Sequence, residues 1–185
     1  PMIGHGQVEG YREKYGMEYR RAYWDEQPDM DLVRRHEREI FPLMQRREIF
    51  AGVQDFCLYD LNGADGHVNE DVFAYSNASP AGERGLVLYN NKYVEAQGWI
   101  HTSTAKLVSA EGGEPQLARK TLGEALGLNG DNAHFCIWRD HVAGLEYLKS
   151  SRELCEQGLY VELGAFKCVV YLDIREVADD AEGHY

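Results

Sequence analysis

The sequence predicts a mainly β protein, an antiparallel β-sandwich preceded by a short strand-and-helix segment. One amphipathic helical pattern occurs, early in the chain. Beyond Gly52 apolar residues recur in short strand-like runs, separated by clusters of turn-forming residues. Short strands after a single helix favour antiparallel pairing over alternating βαβ units. The expected division is 1–52 for the strand-and-helix segment and 53–185 for the β-domain.

Pro1 to Gly10, PMIGHGQVEG, reads as the end of an apolar strand running into a loop, where its glycines let backbone turn sharply or approach a ligand. Its opening, with no polar leader before it, is expected of a piece cut from a longer chain. From Asp29 the period changes: Leu32, Val33, His36, Ile40, Leu43 and Met44 recur at spacings of three and four, with Asp29 or Asp31 as cap. Arg34, Arg35, Glu37 and Arg38 then face water. Pro42 lacks a donor and clashes with the preceding turn, so the helix should kink or restart at Ile40 to Phe41, end near Phe50 and stop at Gly52.

Val72 to Asn77 and Arg84 to Asn91 flank the turn-rich Ala78-Ser79-Pro80-Ala81-Gly82, as in an antiparallel hairpin. Further strands are expected at Phe56 to Tyr59, Gly98 to Thr102, Phe135 to Arg139, Leu159 to Leu163 and Lys167 to Ile174. Ser109 to Pro115 reads as a loop, and Leu122 to Leu128 and Ser150 to Gln157 as short helices, the second capped by Gly158.

With 44% apolar residues the chain can bury a real core, while 31 acidic against 19 basic residues give a net charge of −12. Such a charge opposes approach to phosphate backbones and anionic membrane surfaces, so no nucleic-acid or membrane partner is expected. No apolar run is long enough for a membrane span and no signal peptide pattern is visible, so the expected compartment is the cytoplasm. Cys57, Cys136, Cys155 and Cys168 are widely spaced without a CxxC pair, which predicts reduced, partly buried thiols and no metal site.

Asp60 to Gly66, DLNGADG, invites a calcium-loop reading. Counted from Asp60, however, positions 5, 6 and 12 are Ala64, Asp65 and Asp71, where that loop needs an oxygen ligand, glycine and glutamate. An Asx-rich turn in which Asp60, Asn62 and Asp65 bond local backbone is expected instead. His134, Arg139, Asp140 and His141 lie close in sequence, and a His–Asp pair can do acid/base or metal work, but ordinary strand surface is the commoner meaning. Serine-hydrolase elbow, phosphate-loop and zinc-helix motifs are absent. Three tryptophans, twelve tyrosines and six phenylalanines include rings that could stack on sugars, although such rings more often serve core and sheet surface. Asn77-Ala78-Ser79 fits a glycosylation sequon and is read as part of the hairpin turn.

The order PMIGHGQVEG, HEREIFPLMQRREIF, VFAYSNASPAGERGLVLYNN resembles the closing section of the α-amylase family, glycoside hydrolase family 13. Gly6-Gln7 and Glu9 are similar to the end of that family's last barrel strand, with His5 before the glycine and Val8 before Glu9 as departures. Arg38 to Leu43 is similar to its last barrel helix, and Phe73 to Ser76 and Leu86 to Asn91 to the first strands of the domain that follows. The resemblance implies the last strand and helix of a (β/α) barrel followed by a C-terminal β-domain packed against the upstream barrel. It also implies a retaining mechanism at α-glucosidic bonds, hydrolytic or transglycosylating, whose two aspartates and glutamate all precede Pro1.

No catalytic residue is therefore assigned within this chain, and neither a cofactor nor a metal is called for. His5, Gln7 and Glu9 are the candidate substrate-binding residues, on the pocket rim where barrel active sites are assembled, with an α-glucan or oligosaccharide as partner through the parent enzyme. The alternatives are a free-standing carbohydrate-binding or structural β-sandwich and a small enzyme built on the His134 to His141 cluster.

Overall fold

A computed structural model describes residues 3–4, 6–13, 23–108 and 115–179 of the chain. Backbone contacts divide it into two compact units, Pro1–Arg47 and Glu48–Tyr185.

In the first unit Asp29 starts helix α1 (Met30–Glu39), its carboxylate accepting the otherwise unpaired N–H groups of Asp31 and Leu32 at 3.0 and 3.1 Å. Arg34, Arg35, Glu37 and Arg38 are exposed as the period requires. The helix ends at Ile40, and α2 (Phe41–Gln45) begins with Pro42 in its first turn, where proline's missing N–H costs nothing. Proline thus restarts the helix instead of merely bending it.

The second unit opens with one turn, α3 (Glu48–Ala51), and is otherwise mainly β. Eight strands form one large curled antiparallel sheet: β1 (Cys57–Asn62), β2 (Val68–Ala78), β3 (Arg84–Asn90), β4 (Ala96–Ile100), β7 (His134–Asp140), β8 (Glu146–Ser150), β9 (Leu159–Leu163) and β10 (Cys168–Ala178). The spatial order is β8-β7-β10-β3-β2-β1-β4-β9. A separate ribbon pairs β5 (Lys106–Val108) with β6 (Gln116–Ala118). Two separately bonded sheets, as in a sandwich, are not what the ladders show. One sheet curls instead, with β4 joined to β1 through the single pair Asn62↔Trp99.

Alternation along the strands places Tyr59 and Leu61, Ala74, Leu86 and Leu88, Ile100, Trp138 and Val161 on one concave face, all in a single buried cluster. Helices α4 (Leu122–Leu126) and α5 (Ser151–Glu156) add Leu122, Leu126 and Leu154 to it. The opposite face is covered at one end by α3. There a Cβ on Gly85 would sit 3.1 to 3.3 Å from Ile49, Phe50 and Leu172, so the bare glycine lets the turn pack down. Buried Val87 and Val170, paired across β3 and β10, share that face.

The β2–β3 hairpin is in register from Val72↔Asn90 to Ala78↔Arg84, and its turn is closed by Ser79 N–H to Glu83 O at 2.8 Å. Asn77 is buried with its amide donating to Gly52 O at 2.7 Å, so the sequon's asparagine is packed into the fold and unavailable to a glycan. Strand β10 runs beyond the expected end at Ile174. Asp173, at φ 54°, introduces a bulge between Leu172 and Arg175 that changes which side chains face inward, and the strand then continues to Ala178. The expected helix Ser150 to Gln157 is α5, with Ser150 as N-cap and Gly158 at φ 80° beyond it. Of the expected loop Ser109 to Pro115, positions 109–114 lie outside the described residues.

Candidate functional site

Of the three candidate rim residues, His5 lies outside the described residues. Gln7 and Glu9 fall on a turn bounded by Gly6 and Gly10, both with positive φ (69° and 76°), a conformation that favours glycine. The turn is closed by Tyr11 N–H to Gly6 O at 2.8 Å and Gln7 N–H to Gly4 O at 3.2 Å. Glu9 O accepts the N–H of Asp29, the cap of α1, at 2.9 Å, so the turn is pinned to the start of the helix. Gln7 is exposed and its side-chain oxygen accepts Gly4 N–H at 3.0 Å, which turns the amide's donor end outward. Glu9 is half-buried. The turn thus carries an exposed amide and a half-buried carboxylate side chain on a fixed backbone, group types that can bond hydroxyls. Carboxylates also fix the strand of chain that follows. Glu26 accepts the N–H groups of Arg12 and Glu13 at 3.0 and 2.9 Å, and Glu13 accepts those of Tyr23 and Trp24 at 2.9 and 3.0 Å.

The His134 to His141 run does not gather into a site. His134 opens β7 and Asp140 ends it about 20 Å further along the strand, with His141 in the turn beyond. His134 pairs instead with Asp131, Nδ1 to Oδ1 at 2.6 Å. That hydrogen bond raises the histidine's pKa and lowers the aspartate's. Asp140 is buried and accepts Val142 and Ala143 N–H at 2.9 and 3.0 Å, closing the turn into β8.

The acidic segment is also local structure. Asp60 and Asn62 lie inside β1, and the turn proper is shorter than the sequence suggests, with Gly63 N–H bonded to His67 O and Asp65 accepting His67 N–H at 3.0 Å. Among the described residues no group of three or more His, Cys, Asp or Glu side chains is placed to hold a metal ion. The four cysteines are free, and burial pushes the Cys136 thiol up to about 12, away from nucleophilic use.

One feature that sequence reasoning did not single out is an aromatic pair at the β4–β9 end of the sheet. Trp99 and Tyr160 are direct cross-strand partners, with ring centroids 5.3 Å apart and ring planes inclined at 56°. They are 40% and 42% exposed, whereas Trp138 in the core is 4% exposed. Tyr160 OH donates to Gln97 Oε1 at 3.4 Å. Alternation along β4 and β9 is the only signal in the sequence, and it does not say which two rings meet.

Among the described residues no helix is long and apolar enough to cross a membrane. No protein-family model and no curated protein matches the chain.

Proposed function

We propose that this chain is the C-terminal section of an α-amylase-like hydrolase or transglycosylase acting on α-glucosidic bonds. In this reading the first unit is the last strand and helix of a (β/α) barrel, and the curled sheet is the β-domain that follows it, a variant of the expected sandwich. The observation that carries the reading is the order of parts: a glycine-bounded turn presenting Gln7 and Glu9, pinned to the start of a helix that restarts at Pro42, then an all-antiparallel domain. Active sites of such barrels are assembled at the strands' C-terminal ends, so His5, Gln7 and Glu9 belong to the rim and contact sugar hydroxyls. The nucleophilic aspartate, the glutamic acid/base and the second aspartate lie upstream, so the chain alone does not hydrolyse glycosides.

The coding sequence upstream of the Pro1 codon tests this. An in-frame stretch of about 400 residues, the size of a barrel with insertions, with Asp, Glu and Asp at successive strand ends is expected. The protein expressed from it should release sugar from α-linked glucans. A start codon beside Pro1 would favour the second reading, a free-standing carbohydrate-binding or structural module. That reading is supported by residues 48–185 forming a unit around a core of their own.

A further inference from the structure

We propose that the β4–β9 end of the sheet is a binding site for a neutral α-glucan, with Trp99 and Tyr160 as its platform. The platform rests on the geometry below, and only the choice of α-linkage rests on the function proposed above.

Single exposed apolar residues are ordinary on a protein surface. Two large rings side by side, each about two-fifths exposed and fixed by a β-ladder, are a different matter, because covering them would be favourable. Their backbones are paired as Trp99↔Tyr160, and the buried neighbours Ile100 and Val161 hold the two strands down from the other face. The rings therefore stand in a set position before any ligand arrives, which limits the ordering cost of binding.

Polar groups flank the pair at both ends. About 7 Å along the strands, Gln97 pairs with Glu162, and the two border a depression of about 480 Å³, within the range of small-molecule sites. Tyr160 OH donates to Gln97 Oε1 and Glu162 lies beside the same hydroxyl, so an amide and a carboxylate stand next to the ring as donor and acceptor groups. At the other end a narrow cleft of about 60 Å³ carries Lys149, Glu153 and Gln157 beside both rings. An apolar face framed by amide and charged hydrogen-bonding groups matches a pyranose, whose axial C–H groups form a flat apolar face and whose hydroxyls project from the rim.

Charge narrows the partner further. Glu95, Glu153 and Glu162 outnumber Lys149 around the rings, and the whole chain carries −12, so sulfated or uronic glycans and nucleic acids are repelled. The 56° inclination offers a bent surface. A β-1,4 chain is a flat ribbon that prefers coplanar rings, whereas an α-1,4 chain curves and can lay successive residues on inclined ones.

Titration calorimetry of the full chain with maltoheptaose, and with cellohexaose in parallel, tests the site. Saturable maltoheptaose binding is expected, weakened about tenfold or more in Trp99→Ala and in Tyr160→Ala, the scale of losing one aromatic anchor, and largely restored in Trp99→Phe. Circular dichroism and melting of each variant separate loss of the site from loss of the fold, and Gln97→Ala, on an exposed position, gives an independent weakening. No saturable binding by the unaltered chain, binding unchanged by Trp99→Ala, or self-association that disappears in Trp99→Ala would overturn the proposal. Preference for cellohexaose would overturn the α-glucan assignment. Binding as expected beside an upstream sequence without a barrel would overturn only the parent-enzyme reading.

Discussion

His134 and Asp131 show how a suggestive cluster resolves at the scale of single residues. The imidazole has one carboxylate partner at 2.6 Å, and both side chains are partly open to water. Folding raises the His134 pKa, so this contribution to stability is full below about 6.5, the unperturbed value, and fades as pH rises through the folded-state pKa. Folding lowers the Asp131 pKa, so the contribution also fades as pH falls through that lowered value. Proton NMR should place the His134 midpoint higher in the unaltered chain than in Asp131→Asn, and equal midpoints would show that the pair does not persist in solution. A buried pair behaves differently. Tyr59 and Ser76 are each 1% exposed and share a hydroxyl hydrogen bond of 2.7 Å, and burial raises the Tyr59 pKa above its usual range. Tyr59→Phe or Ser76→Ala strands one hydroxyl in the core and should cost about 1–3 kcal/mol. The double variant should cost less than the two together, and strict additivity in urea unfolding would show that the hydroxyls are independent.

At the scale of elements the weakest seam of the sheet is between β1 and β4, where one residue pair makes the ladder. A Cβ on Gly98 would collide with the carbonyl oxygen of Asn62, and backbone cannot swing aside as a side chain can. Gly98→Ala should therefore destabilise by about 1–3 kcal/mol, with hydrogen exchange faster in β4 and β9 than in β2 and β3. Uniformly altered exchange would mean the seam is not where strain is relieved. What the sequence disclosed follows each strand's own burial pattern. Strands β2, β3 and β9 were legible because apolar residues alternate or cluster between clear turn signals, and α1 because its cap and period agree. Strand β8 was not, since Glu146 to Lys149 are all exposed on an edge and burial imposes no pattern there. The three-residue strands β5 and β6 are too short to show a period. The turn holding Gln7 and Glu9 is local and could be read from its glycines. The Trp99–Tyr160 platform depends on the β4–β9 register, which joins distant segments and leaves no local mark.

For the whole molecule the question is where the β-domain begins. The sequence places the change of texture at Gly52, whereas the compact unit starts at Glu48, and the four residues of α3 carry the difference. Ile49 is fully buried against the sheet face opposite the main core, and burying such a side chain contributes about 1.5–3 kcal/mol. Gly52 O accepts the amide of buried Asn77 at 2.7 Å, and losing that acceptor strands a polar group at a cost of about 1–3 kcal/mol. A chain of residues 48–185 keeps both contributions and the entire main cluster, whereas one of residues 53–185 loses both. The longer piece should unfold cooperatively, and the shorter one should be less stable by about 3–5 kcal/mol. For a domain whose total stability is only about 5–15 kcal/mol, that is enough to lower its melting temperature severely. Equal stability of the two pieces in denaturant titrations would mean that α3 is not part of the β-domain's core, and the boundary would then lie at Gly52.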